Sequence, residues 1–257
     1  MSDWTEEALA SLRAGRYSPH AWVTFLAASL RRARELRAVY PHAHRRLLAL
    51  AGAGTAVWLA VGLADEGRLA AAGGLWWLAA CAMVDWHLGL LDGRDALGPA
   101  NTLTLLRAGA IPAIVLLSRP PVGAALLGAA GLSDVLDGIL ARARGETTRL
   151  GLWLDGSVDG LLLAAAAVVV LPAWAAALVV GRYGLPWLVI GASYVVRAQR
   201  PSRERIVSGR IPGLVTFAGM TSALLGIAGA PYLAAAGALG GLGTFTASAL
   251  RARAYAL

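Results

Sequence analysis

Apolar residues run through this chain in long blocks, and the polar residues between them gather at a few places. Blocks of near-spanning length cover 47–64, 69–90, 102–118, 121–141, 151–171, 174–196, 211–228 and 231–249. A helix crossing a bilayer needs about 20 apolar residues. The eight blocks therefore predict eight transmembrane helices and an all-α, polytopic membrane helical bundle. Several links between them are only short proline-containing turns, at Arg119-Pro120-Pro121, Leu171-Pro172 and Ala230-Pro231, which predicts tight antiparallel hairpins. Ahead of the first block, 4–13 reads as a short capped helix and 19–38 as an amphipathic one carrying Trp22, Phe25 and Leu30 before a basic cluster. That second helix suits either the membrane surface or the cytosolic face of the bundle.

One polar interruption stands apart from the others. Asp134, Asp137, Asp155 and Asp159 lie within one of the most apolar stretches of the chain. On insertion scales four carboxylates at bilayer depth cost about 10–14 kcal/mol. A pair of bound divalent cations would account for them. Residues three or four apart share a helix face, so Asp134, Asp137, Gly138 and Ala141 make one stripe. Gly151, Asp155 and Asp159 make a second. The polar turn Arg142 to Arg149 separates them, so the expected unit is a helical hairpin with two acidic stripes face to face. Gly138, Ala141 and Gly151 keep the wall low for a ligand. Hard oxygen donors of this kind suit Mg2+ or Mn2+, which keep open positions for phosphate oxygens.

The same residues carry a resemblance. The spacing Asp134-x2-Asp137-Gly138-x2-Ala141-Arg142-x8-Gly151-x3-Asp155-x3-Asp159 resembles the signature of the CDP-alcohol phosphotransferases, membrane enzymes of phospholipid synthesis. All eight fixed positions match, as do both long gaps. Upstream, Pro99-Ala-Asn101-Thr-Leu103-Thr104-Leu-Leu-Arg107 is similar to the segment that opens the family's first core helix. The resemblance runs from about Asn101 to the C-terminus. It divides the chain into a cytoplasmic amphipathic segment (1–46), two additional transmembrane helices with a connector (47–100), and a six-helix catalytic core (101–257).

What the resemblance implies is specific. The family moves a substituted phosphoryl group from a CDP-linked lipid donor to a small polar acceptor alcohol and releases CMP. It implies Asp134, Asp137 and Asp155 as ligands of two divalent cations. Asp159 is implied as the general base that takes the acceptor's proton and as a further metal ligand. Gly138, Ala141, Arg142 and Gly151 match the positions that cradle the cytidine and diphosphate, and Asn101 and Thr104 approach the same nucleotide. Asn101 equally suits the cap of the helix that follows it, and Arg107 suits a pairing with the acidic site, with lipid phosphate, or a structural salt bridge. The resemblance also implies a homodimer.

Composition and charge add the setting. Hydrophobic residues make up 58% and charged residues 15%, with a mean hydropathy of +0.62, the range of polytopic membrane proteins. All 23 basic residues are arginine and the net charge is +8. In such a chain this calls for no nucleic acid, since arginines collect on cytoplasmic loops and meet the anionic headgroups of membrane lipids. Arg31 to Arg46, Arg142 to Arg149, Arg197 to Arg210 and Arg251 with Arg253 all fall on one side of an eight-span topology. The positive-inside rule then sets both termini and the acidic site toward the cytoplasm of a bacterial or archaeal cell membrane. The acidic, polar start Met1-Ser-Asp-Trp-Thr-Glu-Glu lacks a secretory h-region, and the single Cys81 excludes a disulfide within one chain. His87 reads with Trp86 as an interfacial anchor before a ligand, and His42 with His44 as a solvated or headgroup-facing pair.

The acceptor is read from arginines. Arg203, Arg205 and Arg210 precede a span whose family counterpart lines the acceptor pocket, and Arg182 lies inside another span. Guanidinium grips phosphate in bidentate fashion, so an acceptor carrying its own phosphate is expected, such as glycerol 3-phosphate or an inositol phosphate. A basic loop that only sets topology explains the same cluster. Gly160 stands where glycerol-phosphate-using and inositol-phosphate-using members often carry a basic residue, so the subtype stays open. A membrane prenyltransferase would separate its acidic motifs on distant helix pairs. A cation transporter would spread its acids across mid-membrane.

Overall fold

The computed structural model describes residues 4–64, 67–91, 95–116, 120–145, 147–197 and 210–254, and every regular element among them is an α-helix. In chain order these are α1 (Trp4–Ala14), α2 (Pro19–Val39), α3 (Pro41–Ala64), α4 (Arg68–His87), α5 (Pro99–Gly109), α6 (Ile111–Leu116), α7 (Pro120–Arg144), α8 (Arg149–Val170), α9 (Ala173–Arg197), α10 (Arg210–Leu224) and α11 (Ala230–Ala254). Proline opens α2, α3, α5 and α7, where its missing N–H is one of the helix's orphans anyway. The all-α bundle expected from the hydrophobic blocks is what forms. Stretches of α3, α7 and α8 are long and apolar enough to cross a membrane, while Ala173–Val189 and Ile211–Leu224 are apolar but shorter. Their outward residues are large and apolar, among them Val57, Leu59, Leu63, Leu132, Val168 and Leu188, as a lipid-facing surface requires.

One expected span is broken. The described part of the block 102–118, residues 102–116, folds as α5 and α6 with Ala110 between them. Pro112 explains the break, because its ring nitrogen has no proton to give to the carbonyl of Ala108 four residues back. That carbonyl accepts instead from the indole Nε1 of Trp76 at 2.8 Å, which ties α4 to the break.

The chain forms two compact units, one of Met1–Leu116 with Ala129–Val158 and one of Leu117–Gly128 with Asp159–Leu257. The first unit has a core of Ala43, Leu47, Trp58, Trp77, Cys81, Val84, Leu88, Ala96, Leu97, Leu105 and Leu150. Residues of α3 and α4 thus share one apolar interior with residues of α5 and the start of α8. Asp85, near the end of α4, accepts hydrogen bonds from Arg37 of α2 and from His44 Nδ1 of α3 at 2.5 Å. Trp86 donates to Ser29 of α2 at 2.9 Å. His44 is therefore buried and paired, which corrects the solvated reading, whereas His87 bonds its own helix through the Met83 carbonyl.

In the second unit α10 and α11 cross at close range and α9 packs on α11. The crossing needs small residues: a Cβ on Gly237 would overlap Thr216, and one on Gly219 would overlap the backbone of Ala234. Such contacts replace the hydrophobic drive that lipid does not supply. Gly226, at φ +72, ends α10 in the left-handed conformation, with Ile227 N–H donating to Ser222 and Gly226 N–H to Ala223. Glycine adopts this cap without a Cβ clash.

Candidate functional site

Of the four aspartates in the two expected stripes, Asp134, Asp137 and Asp155 come together, and Asp159 is not in that group. Asp134 and Asp137 lie on the last three turns of α7, and Asp155 lies on the second turn of α8. One carboxylate oxygen from each of Asp134, Asp137 and Asp155 lies within 4.8 Å of the others. Their burial is unequal. The Asp137 side chain is 7% exposed and forms the floor, whereas those of Asp134 and Asp155 are 45% and 42% exposed and remain reachable.

A third helix closes this group from beside it. Asn101, Thr104 and Arg107 step by three along α5 and so share a face, and all three are buried. Thr104 donates its hydroxyl to Asp137 Oδ2 at 2.9 Å. Arg107 Nη1 donates to the same oxygen at 3.1 Å, and Nη2 donates to Asp155 Oδ1 at 2.5 Å. Nη2 also lies 3.5 Å from Asp134 Oδ1. Of the three pairings open to Arg107 in the sequence, the structure selects the acidic site. Thr104, expected beside the nucleotide, is directed at Asp137.

The donor set fits a divalent cation. It offers carboxylate oxygens only, converging from two rigid helices, and two of the three carboxylates are accessible. Three ionised carboxylates against one guanidinium leave two negative charges, the charge that one divalent ion answers. Hard, small cations prefer such oxygens.

Asn101 sits at the edge of this group and does not cap its helix. Gly98 occupies the cap position, and Asn101 Nδ2 donates to Ala96 O at 2.6 Å and to Thr148 Oγ1 at 2.9 Å. Thr148 Oγ1 also accepts from the Gly151 N–H at 2.9 Å, which is an N-cap on α8. Thr148 went unnoticed in the sequence, although a threonine directly before an apolar helical run is the usual cap signal. Gly151 is required for space, since a Cβ there would overlap Asn101 Oδ1 and crowd Thr148 Oγ1. Gly151→Ala is expected to push Asn101 off Thr148 and to cost about 1–3 kcal/mol of stability. Thermal unfolding in detergent checks the cost, and equal melting of variant and wild type would refute it.

The other expected site residues are distributed along the same helices. Gly138 and Ala141 lie on the acidic face of α7, and the guanidinium of exposed Arg142 reaches to 3.2 Å from where a Gly138 Cβ would stand. Asp159 stands one turn beyond Asp155 on α8, half-buried, and the next residue, Gly160, packs against Tyr183 of α9. Arg182 lies inside α9, its stem against Gly241 of α11 and its guanidinium 5.2 Å from the Tyr183 ring centroid. Its buried Nε has no hydrogen-bond partner among the described residues. Arg203 and Arg205 fall outside the described residues, and of Arg210 only its place at the start of α10 is described.

Similarity to known proteins agrees with the geometry. The profile of the CDP-alcohol phosphatidyltransferase family matches residues 98–247, from the cap of α5 into α11, and so takes in the three converging carboxylates, Arg107 and the Asn101–Thr148 contact. No curated protein and no solved structure matches the chain. With well over half of its residues under that profile, the chain belongs to the CDP-alcohol phosphatidyltransferase family.

Proposed function

We propose that this enzyme transfers a phosphatidyl group from CDP-diacylglycerol to a small alcohol that itself carries a phosphate, such as glycerol 3-phosphate, and releases CMP. Membership of the family makes the chain a membrane-bound phosphotransferase acting on CDP-alcohols. The observation that carries cation-assisted transfer from a CDP-linked donor is the convergence of Asp134, Asp137 and Asp155 within 4.8 Å, the donor set a diphosphate-bound cation requires. Two divalent cations, Mg2+ or Mn2+, held by these carboxylates with help from Asp159, would neutralise charge on the leaving phosphate and acidify the acceptor hydroxyl.

The chain's own residues do the remainder. In our reading Asn101, Gly138, Ala141, Arg142 and Gly151 line the nucleotide, with Thr104 steadying Asp137. Asp159 takes the acceptor's proton as its oxygen attacks the phosphorus that bears diacylglycerol. The phosphorus–oxygen bond to CMP then breaks, and CMP leaves with that oxygen.

Arg182 supports a phosphorylated acceptor. An arginine inside an apolar helix needs an anion, and the buried Nε of Arg182 has no hydrogen-bond partner among the described residues. Arg203, Arg205 and Arg210, read from the sequence alone, belong to the same proposal. Arg182→Gln is expected to raise the acceptor KM about tenfold or more, the worth of one charge-assisted hydrogen bond of about 1.5–3 kcal/mol, with the donor KM little changed. An unchanged acceptor KM would remove Arg182 from that pocket.

The division into a cytoplasmic segment 1–46, two added spans 47–100 and a catalytic core 101–257 is part of the proposal. So are a homodimer and a cytoplasm-facing site, the latter supported by the arginine distribution. The deciding experiment measures CMP release by purified protein in detergent with CDP-diacylglycerol and Mg2+ or Mn2+. Glycerol 3-phosphate, inositol phosphate, inositol and serine are offered one at a time. Release with one phosphorylated acceptor, abolished by chelator and in Asp159→Asn, is the expected result. Release only with inositol or serine would overturn the acceptor class, and failure to bind CDP with metal would overturn the transferase reading.

A further inference from the structure

Residues 1–97 lie before the family match, yet one of them is wired to the site. Arg46, on the second turn of α3, donates through Nη2 to Asp95 Oδ2 at 2.5 Å. The other carboxylate oxygen of Asp95 accepts from the Leu97 N–H at 3.0 Å. Between them, the Ala96 carbonyl receives Asn101 Nδ2 at 2.6 Å. Asn101 in turn holds Thr148 at 2.9 Å, and Thr148 caps α8 at Gly151. Each link is local, and together they run from the added helices to the helix that bears Asp155.

Apolar packing makes the first link stiff. Ala96 and Leu97 are each 1% exposed and sit in the same core as Ala43, Leu47 and Trp77. α3 is itself pinned to α4 through His44 and Asp85. A cavity of about 310 Å³ opens at this place, lined by Arg46, Asp95, Asn101, Arg144 and Thr148 among others. Arg46 therefore stands both at the end of the hydrogen-bonded chain and in the wall of the cavity that Asn101 faces.

We infer that Arg46 is a positioning residue for the donor's nucleotide: through Asp95 it fixes the 95–98 turn, and with it Asn101, so that the added N-terminal helices set the enzyme's affinity for the CDP group. The inference rests on the proposed role of Asn101 at the nucleotide. It gives the segment outside the family match a task in catalysis that membrane anchoring alone would not require.

The test uses full-length protein in detergent with Mg2+, following CDP binding by calorimetry and steady-state turnover with CDP-diacylglycerol. Arg46→Ala is expected to weaken CDP binding and raise the donor KM about fivefold, the scale of one solvent-exposed ion pair, with kcat and the acceptor KM unchanged. Arg46→Lys should recover most of the affinity. Wild-type CDP affinity in Arg46→Ala would overturn the inference, and so would an equal loss in kcat and both KM values, the mark of general damage. A wild-type protein that binds no CDP would overturn the nucleotide reading as well, and that result is read before any variant is compared.

Discussion

Asp155→Asn is expected to lower CMP release by about 10²–10³-fold, the scale on which losing one preorganised electrostatic group acts, while leaving the protein folded. Asparagine keeps the shape of the side chain and one oxygen but removes the charge. Asp155 is the right position for this test because its side chain is 42% exposed and faces the reachable side of the carboxylate group. The buried Asp137 would confound the result, since it is enclosed and also anchors Thr104. The distinguishing readout is the metal titration. If Asp155 binds a divalent ion, the variant needs a higher Mg2+ or Mn2+ concentration for half-maximal activity, and raising the metal recovers part of the rate. Loss of rate with an unchanged metal midpoint would remove Asp155 from the metal site. Full activity would remove it from the reaction.

The hairpin that presents this carboxylate was legible before any coordinate, and the reason is periodicity. Asp134 with Asp137, and Asp155 with Asp159, repeat at helical spacing in apolar surroundings where a charge has no structural reason to be. Contacts between helices far apart in sequence carry no such signal. Arg107 could be read as a partner for the acids, for lipid phosphate or for a structural salt bridge, and only the fold brings it to Asp137 and Asp155, 30 and 48 positions away. Asp85 has no partner readable from the sequence beside Trp86 and His87, yet it joins α2, α3 and α4 through Arg37 and His44. Asn101 illustrates a local signal that another interaction overrode. The cap reading was sound as a propensity, but Pro99 starts the helix two residues earlier and places Asn101 within its first turn, free to reach the Ala96 carbonyl. The break at Ala110 followed from Pro112, a signal present in the sequence and outweighed there by the apolar run.

Arg107→Gln is expected to destabilise the protein by about 3–5 kcal/mol, the cost of removing one partner from a buried charge pair, and to make its stability strongly dependent on divalent cations. The Arg107 side chain is 1% exposed and answers three carboxylates at once. Without it, three negative charges face one another in a medium that screens them poorly. Their repulsion then has one remedy, a cation from solution. Thermal unfolding should therefore drop by on the order of 10 °C in chelator and recover in millimolar Mg2+, since an ion that binds only the folded state stabilises it in proportion to the logarithm of its concentration over Kd. The recovery should exceed the gain that wild type draws from the same Mg2+, because in wild type the guanidinium already satisfies part of the charge. Arg107→Lys, which keeps the charge but cannot fork between Asp137 and Asp155, should fall between the two. Equal Mg2+ gains in variant and wild type would mean that guanidinium and metal do not answer the same carboxylates, and the site would then have to bind its cations elsewhere on α7 and α8.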